Sequence, residues 1–279
     1  MTDPQEAPRT QIQVIDRAAR LLEVLSEDQG PRRLREIARA AELSPSTARR
    51  ILASLCAHGF CEQDDQGHYH LGLKLFELGS RVEANLDVRT RARPMLRRLS
   101  EETHLTAFIC VRSEDRAIAL DRIDGRYAFS LALKVGGSLP LHVGAGPLAL
   151  LAFSPEDEAR QLLDELQPLR SYTERTRTST EDILAAMAED RERGYVISDE
   201  DVTPGVAAIG MPIFGHPSST RPMASVSVAG LVNQVLGERK DELIASLKTA
   251  ADEISVSLGH GMGREEDHHE ISPFGGEVA

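Results

Sequence analysis

No stretch of this 279-residue chain approaches the roughly eighteen consecutive apolar residues that a membrane span requires. Its first residues, MTDPQEAPRT, are polar and acidic and do not read as a secretory leader, so a cytoplasmic protein with no membrane partner is expected. Cysteine is scarce: Cys56, Cys61 and Cys110 are odd in number and form no C-x-x-C pair, which argues against a disulfide framework or a zinc site. Cys110, inside the apolar TAFICV, reads as a small buried hydrophobe. Also missing are H-E-x-x-H, G-x-S-x-G and any phosphate-cradling loop with a lysine. The GAG at 144–146 runs into proline and lacks the third glycine of a dinucleotide fingerprint. No catalytic residue, metal site or cofactor is assigned.

An overall basic character is lacking too, since the formal net charge is −12. Its distribution matters more than its sum. Residues 1–90 hold 12 Lys and Arg against 14 Asp and Glu, and the remainder holds 20 against 30. Within residues 31–50, however, six arginines (Arg32, Arg33, Arg35, Arg39, Arg49 and Arg50) face only Glu36 and Glu42. A local cationic patch on an acidic chain suits a site-specific nucleic-acid binder and excludes a general coating protein.

What is there, around that patch, is helical punctuation. Ser44 is a good N-cap, Pro45 fits the first helical position, and Gly59 after His58 reads as the glycine that ends the helix. At about 100° per residue, Ala48, Ile51, Leu52 and Leu55 share one face, opposite Ser46, Arg49, Arg50, Ala53 and Ala57. Upstream, Leu34, Ile37, Ala38 and Ala41 stripe a shorter helix, with Leu43 at the corner: a helix-turn-helix. The free face is cationic and low enough to enter a major groove, where arginine reads guanine bidentately and hydroxyls suit phosphates. A merely solvated face of a helical bundle is the competing reading. Residues 60–71, FCEQDDQGHYHL, then read as a hairpin with Tyr69 inward and His68 and His70 outward, which makes the unit a winged helix.

At 279 residues with 41% hydrophobic side chains, the chain is long enough for two modest cores. After the wing, a helix begins near Leu73, breaks between Leu86 and Val88, and resumes up to His104. Leu75, Leu78, Gly79 and Val82 stripe its first part, suited to a second subunit or to packing within the chain. Strands follow in LTAFICVR, RAIALDRID and AFSLALKV, then helices in GPLALLAF, PEDEARQLLDELQ and STEDILAAMAEDRERG. Three more strands, YVIS, GVAAIGMPIF and MASVSVAG, precede a closing helix, so the fold class expected is α+β. From Gly261 onward no periodicity remains, and residues 261–279 read as a disordered tail.

The segments VIDRAARLLEVLSE, LSPSTARRILASLCAHGF, YHLGLKLFELGS, LPLHVGAGPLALLAF, RERGYVISDED and GVAAIGMPIF, in this order, resemble the isocitrate lyase regulator (IclR) family of bacterial transcription regulators, from about Ile12 to His260. The resemblance implies a flexible N-terminus (1–10), a winged helix-turn-helix (11–73), a linker helix (74–90) and a GAF-like mixed α/β effector-binding domain (91–260). Glu42 stands where the family usually has glycine in the turn, at a cost of about 1 kcal/mol if its φ is positive. Pro147 stands where the family often has lysine, and the loop FGHPSSTRPMAS is longer than usual.

Candidate contacts with duplex operator DNA are Arg32, Ser44, Ser46, Thr47, Arg49 and Arg50, with Gln66, His68 and His70 on the wing. In the second half, the N–H groups of Gly144, Ala145 and Gly146 precede a helix and suit the carboxylate of a small organic acid, with Leu131, Leu139 and Leu141 as apolar walls and Leu133 as a further one. The resemblance adds Ser198, Asp199, Ala208, Ser227 and Ala229 to the effector set. It also favours a homodimer or tetramer. The expected function is a ligand-responsive transcription regulator; an enzyme using the same fold and a regulator without effector remain open.

Overall fold

The computed structural model describes residues 12–27, 30, 32–84, 87–126, 131, 133–216 and 218–259. The expected flexible N-terminus, the C-terminal tail and half of the strand expected in AFSLALKV lie outside the described residues; the other half of that segment, Leu131 and Leu133 to Val135, forms no strand, because the chain turns at Gly136 (φ 78°). The chain divides into two compact units, Met1–Asn85 and Leu86–Ala279.

In the first unit, α1 (Gln13–Ser26) is followed by β1 (Arg32–Arg33), α2 (Leu34–Ala40), α3 (Pro45–Ala57), β2 (Cys61–Gln63), β3 (His68–Leu71) and α4 (Leu73–Ala84). The three strands form an antiparallel sheet in the order β1-β3-β2. The core is small. Leu21 of α1, Ile37 of α2 and Leu52 of α3 are fully buried at its centre, with Ala48, Cys61 and Tyr69 around them. Each helix thus contributes one stripe and leaves its other side to solvent, as the 3.6-residue period dictates.

Local chemistry sets the ends of α3. The Ser44 hydroxyl accepts the Thr47 N–H at 3.2 Å, Pro45 occupies the first turn, and Gly59 turns the chain at φ 74°. Between α2 and α3, Glu42 sits at φ 56°, so the turn keeps its left-handed residue without the glycine that would accommodate it best. The wing turn is an Asx turn: one Asp64 carboxylate oxygen accepts the N–H groups of Gln66 (2.9 Å) and His68 (2.8 Å). Those bonds, the His68 backbone first, lower the Asp64 carboxyl below its ordinary pKa.

In the second unit, α5 (Asp87–Thr103) leads to β4 (Thr106–Ser113), β5 (Arg116–Ile123), β6 (Ser138–Pro140), α6 (Ala145–Ala152), α7 (Glu156–Glu165), α8 (Thr180–Arg193), β7 (Val196–Asp199), β8 (Val206–Ile213), β9 (Ala224–Leu231), α9 (Val232–Val235) and α10 (Lys240–Ser257). The strands make one antiparallel sheet in the order β6-β5-β4-β9-β8-β7. Strand alternation assigns each face. Ala107, Ile109, Ile209, Val226 and Val228 pack with α5 and α10, while Phe108, Cys110 and Ala229 lie on the side of α6, α7 and α8. A sheet covered by helices on both faces has two cores, and the chain has an α+β architecture.

All eight residues of α6 are buried, which requires the helix to lie close against the sheet. Gly210 of β8 permits this: a Cβ there would stand 2.4 Å from the Ala145 carbonyl oxygen. The approach brings the first turn of α6 over the middle of the sheet, beside Ser225 and Ser227 of β9.

Candidate nucleic-acid interface and ligand cleft

On α3, Ser46, Arg49, Arg50, Ala53 and Ala57 are all exposed, opposite the buried Ala48, Ile51 and Leu52. Among the described residues neither Arg49 nor Arg50 has a hydrogen-bond or ion-pair partner. Two guanidinium groups that no described acid neutralises stand side by side on a helix whose other exposed positions are small. Ser44 is occupied: its hydroxyl caps the helix and also donates to Thr47 Oγ1 at 2.9 Å. The exposed cation set is completed by Arg33, Arg35 and Arg39.

Arg32 departs from expectation. Its side chain is 9% exposed and its guanidinium pairs with Glu27 at 2.7 Å, because β1 turns this residue toward α1 while alternation turns Arg33 outward. Arg33, missed as a contact because nothing in a run of arginines ranks its members, takes the exposed place. On the wing, Gln66 is exposed at the tip. His68 is tied down at both ring nitrogens: Nε2 accepts from Arg33 Nε at 3.3 Å, which leaves Nδ1 to donate to Asp64 at 3.2 Å. It braces the hairpin and does not reach outward freely. His70 is half-buried, with Nδ1 3.3 Å from the Leu71 carbonyl.

In the second unit a small, partly open cleft lies at the N-terminus of α6. Of the expected ligand contacts, Leu131, Leu139, Gly144, Ala145, Ser198, Ala208, Ser227 and Ala229 all line it, and so does Leu133. Two do not. Leu141 is 1% exposed and belongs to the core beneath, since the chain has left β6 and dives under α6 at that point. Asp199 is the residue after Ser198 on β7, so alternation sends it to the opposite face, where it pairs with Arg175. Sequence reasoning missed Phe108, Val206, Val202 and Thr203. Val206 carried a signal, being two residues before Ala208 on one strand; Phe108 lines the cleft because it pairs with Ser227 across β4 and β9, which no local pattern reveals.

The cleft is mostly apolar, its side-chain polar groups being the hydroxyls of Ser198, Thr203 and Ser227. Among the described residues no charged side chain lines it. The anion seat at the helix terminus is partly filled by the chain itself: Asp201, 6% exposed, accepts the Gly144 N–H at 2.9 Å with one carboxylate oxygen and the Ser198 hydroxyl with the other. Gly144, at φ 79°, is the residue that lets the backbone present that N–H. An internal carboxylate at a helix N-terminus is favourable for the same reason a ligand's would be. Replacing Asp201 with alanine strands two buried donors and is expected to lower unfolding stability by about 1–3 kcal/mol, read as an earlier denaturant midpoint. An unmoved midpoint would mean that the carboxylate holds nothing.

Comparison with known proteins agrees with both units. The family model described as the IclR helix-turn-helix domain matches residues 14–65, and the one described as the bacterial transcriptional regulator IclR C-terminal domain matches residues 81–256. The chain is 33% identical over 226 residues to the HTH-type transcriptional regulator KdgR of Escherichia coli, covering 81% of this chain and 85% of that one. It is 30% identical over 257 residues to the transcriptional repressor IclR of the same organism, covering 91% and 93%. Among solved structures, an IclR homologue from Microbacterium hydrocarbonoxydans in complex with 4-hydroxybenzoate superposes with a TM-score of 0.73 at 27% identity, covering 88% of this chain and 98% of that one. With the two family models spread over both units and the relatives matched nearly end to end, the chain belongs to the IclR family of bacterial transcription regulators, proteins with a helix-turn-helix DNA-binding domain and a distinct C-terminal domain.

Proposed function

We propose that this protein binds a duplex operator site-specifically as a homodimer, or as a homotetramer made of two such dimers, and that a small organic acid in the cleft of the second unit governs that binding. The observation that carries the reading is the pair Arg49 and Arg50, exposed on a capped helix and, among the described residues, without acidic partners. They would take base edges or phosphates, while Ser46, Thr47 and the N-terminus of α3 hold phosphates, with Gln66 and His70 of the wing against the flanking backbone. Residues 11–73 then form the reading domain, 74–90 a linker helix and 91–260 the sensor.

The ligand class follows from the cleft. Its apolar walls accept a hydrocarbon or aromatic body, and the N–H groups of Ala145 and Gly146 with the Ser227 hydroxyl receive one polar end, while the Ser198 hydroxyl is already given to Asp201. The 4-hydroxybenzoate held by the Microbacterium relative is a molecule of this kind. Dimerisation is supported by apolar side chains left at the surface of the first unit: Ile12, Val14 and Ile15 at the start of α1, and Leu73 (73% exposed) and Leu78 on α4. In a dimer the two copies of α3 would enter major grooves about one helical turn apart. The acid acts only if it prefers one spacing of these helices over the other.

Selection from a pool of random duplexes, followed by footprinting, tests the reading. A twofold-symmetric protected site whose occupancy changes with an aromatic or aliphatic carboxylate is the result expected. Failure to enrich any sequence at low salt would overturn it. Thermal-shift measurements across a carboxylate panel that includes 4-hydroxybenzoate separate the sensor claim, because a ligand that binds the folded state raises the melting temperature. No stabilisation across the panel would leave a regulator without effector.

A further inference from the structure

The helix-turn-helix unit holds two thiols that the function above does not use. Cys56 lies in the last turn of α3 and Cys61 opens β2, and their sulfurs are 2.7 Å apart, inside van der Waals contact. Nothing about the segment leaves this meeting to chance. The four residues between the cysteines are pinned by backbone bonds from Gly59 N–H to the Cys56 carbonyl (3.0 Å) and from Phe60 N–H to the Leu55 carbonyl (2.9 Å). Gly72 N–H bonds the Phe60 carbonyl at 2.9 Å and ties in the far end of the wing. The Cys61 thiol donates to the Leu52 carbonyl at 3.5 Å, which fixes the direction of its remaining lone pairs. The two sulfurs also differ in access: Cys61 is buried and Cys56 is half-buried.

We propose that Cys56 and Cys61 are a reversible oxidation site, at which a peroxide converts the pair into an intramolecular disulfide joining the reading helix to the wing. The half-buried Cys56 is the entry point. Its thiol gives up a proton and the thiolate attacks one oxygen of the hydroperoxide; the O–O bond breaks, Cys56 becomes a sulfenic acid, and the departing hydroxide or alkoxide takes that proton and leaves as water, or as an alcohol from an organic peroxide. The Cys61 sulfur then attacks the Cys56 sulfur; the S–S bond forms, the S–O bond breaks, and the departing hydroxide leaves as a second water with the Cys61 proton. Two thiols lose two electrons and the peroxide gains them. Burial, with Cys56 alongside, pushes the Cys61 thiol above its ordinary pKa, so Cys61 is not the group that meets the peroxide first; it must give up its proton as it attacks the sulfenic acid that the 2.7 Å contact places beside it. The bond needs less than an ångström of sulfur movement, so the unit stays folded when it forms. It binds the C-terminal end of α3 to β2 and gives the DNA-reading unit a chemical input separate from the cleft.

Cys110 supplies an internal control. It is fully buried among apolar residues of the other unit, its thiol pushed up to about 12 by desolvation, and among the described residues it has no second sulfur beside it. Cleavage after arginine and lysine places Cys56 and Cys61 in one peptide, 51–74, and Cys110 in another, 99–112. The folded full-length protein is treated with a small excess of hydrogen peroxide, alkylated under denaturing conditions and digested. The expected result is a 51–74 peptide that has lost two hydrogens and carries no alkyl group, returns to the doubly alkylated form after a thiol reductant, and is accompanied by an alkylated 99–112 peptide. Sulfinic or sulfonic acid on Cys56 alone, a disulfide between two chains, or a 51–74 peptide still doubly alkylated would each overturn the proposal. In Cys61→Ser, Cys56 is expected to over-oxidise instead. Should that variant fail to fold, the wild-type peptide map decides by itself.

Discussion

Alanine at both Arg49 and Arg50 is expected to abolish sequence-selective binding to duplex DNA while leaving the melting temperature of the protein where it is. The two halves of this expectation rest on different facts. Stability should not move because both side chains are exposed and neither has a hydrogen-bond or ion-pair partner among the described residues; alanine is also the best helix former, so α3 loses nothing in propensity. Binding should move a great deal. A bidentate arginine–guanine contact discriminates by about 1–3 kcal/mol, and two adjacent guanidinium groups are the whole exposed charge of α3. Because they are neighbours on one helix their losses need not add, so the double variant is expected to sit nearer 3 than 6 kcal/mol. The single variants then sort the roles. The residue that reads a base will relax specificity at one position when removed, whereas the one that holds a phosphate will weaken all sequences alike and flatten the salt dependence by about one counterion. Titrations of a selected site and a scrambled site at several salt concentrations provide both readings. Unchanged affinity in the double variant would remove α3 from the interface.

The second large effect belongs to a residue with no side chain. Gly210→Ala is expected to destabilise the second unit by about 3 kcal/mol, at the upper end of what overpacking costs. The new methyl would meet the Ala145 carbonyl oxygen at 2.4 Å and the carbonyl carbon at 2.6 Å. Both are backbone atoms of a helix buried on every side, and β8 is held between β7 and β9, so neither partner can retreat cheaply. Relief would come from lifting the first turn of α6. That movement would pull Gly144 from Asp201 and disturb the wall of the cleft formed by Ala145. Chain unfolding followed by circular dichroism suits a protein without tryptophan. A wild-type denaturant midpoint in Gly210→Ala would show that α6 does not rest on β8 as described.

How far such sites can be read from sequence depends on the distance over which their geometry is decided. The exposed face of α3 follows from a thirteen-residue helix whose cap, proline start, apolar stripe and glycine end all lie within it or within two residues of its ends, so its arginines are legible without the fold. The wing was legible likewise, from one Asx turn between two short strands. Most of the cleft's walls could also be found, because glycines before a helix and small residues along strands mark where backbone comes close. Where the structure departs from the sequence, the reason lies in alternation or in longer contacts. Ser198 and Asp199 are consecutive on a strand and therefore face opposite sides. Arg32 pairs with Glu27, which depends on how β1 lies against α1, and Leu141 sinks into the core beneath the cleft.

Helix termini, faces, the turn that Glu42 strains and the local excess of positive charge were therefore determined by the order of residues alone, because each depends on interactions a few positions apart. Folding decided what no local pattern contains: that Asp201 reaches Gly144, that Phe108 meets Ser227 across two strands, and that α6 can lie flat on Gly210. These contacts join segments tens of residues apart, and their geometry exists only once the sheet order has been chosen.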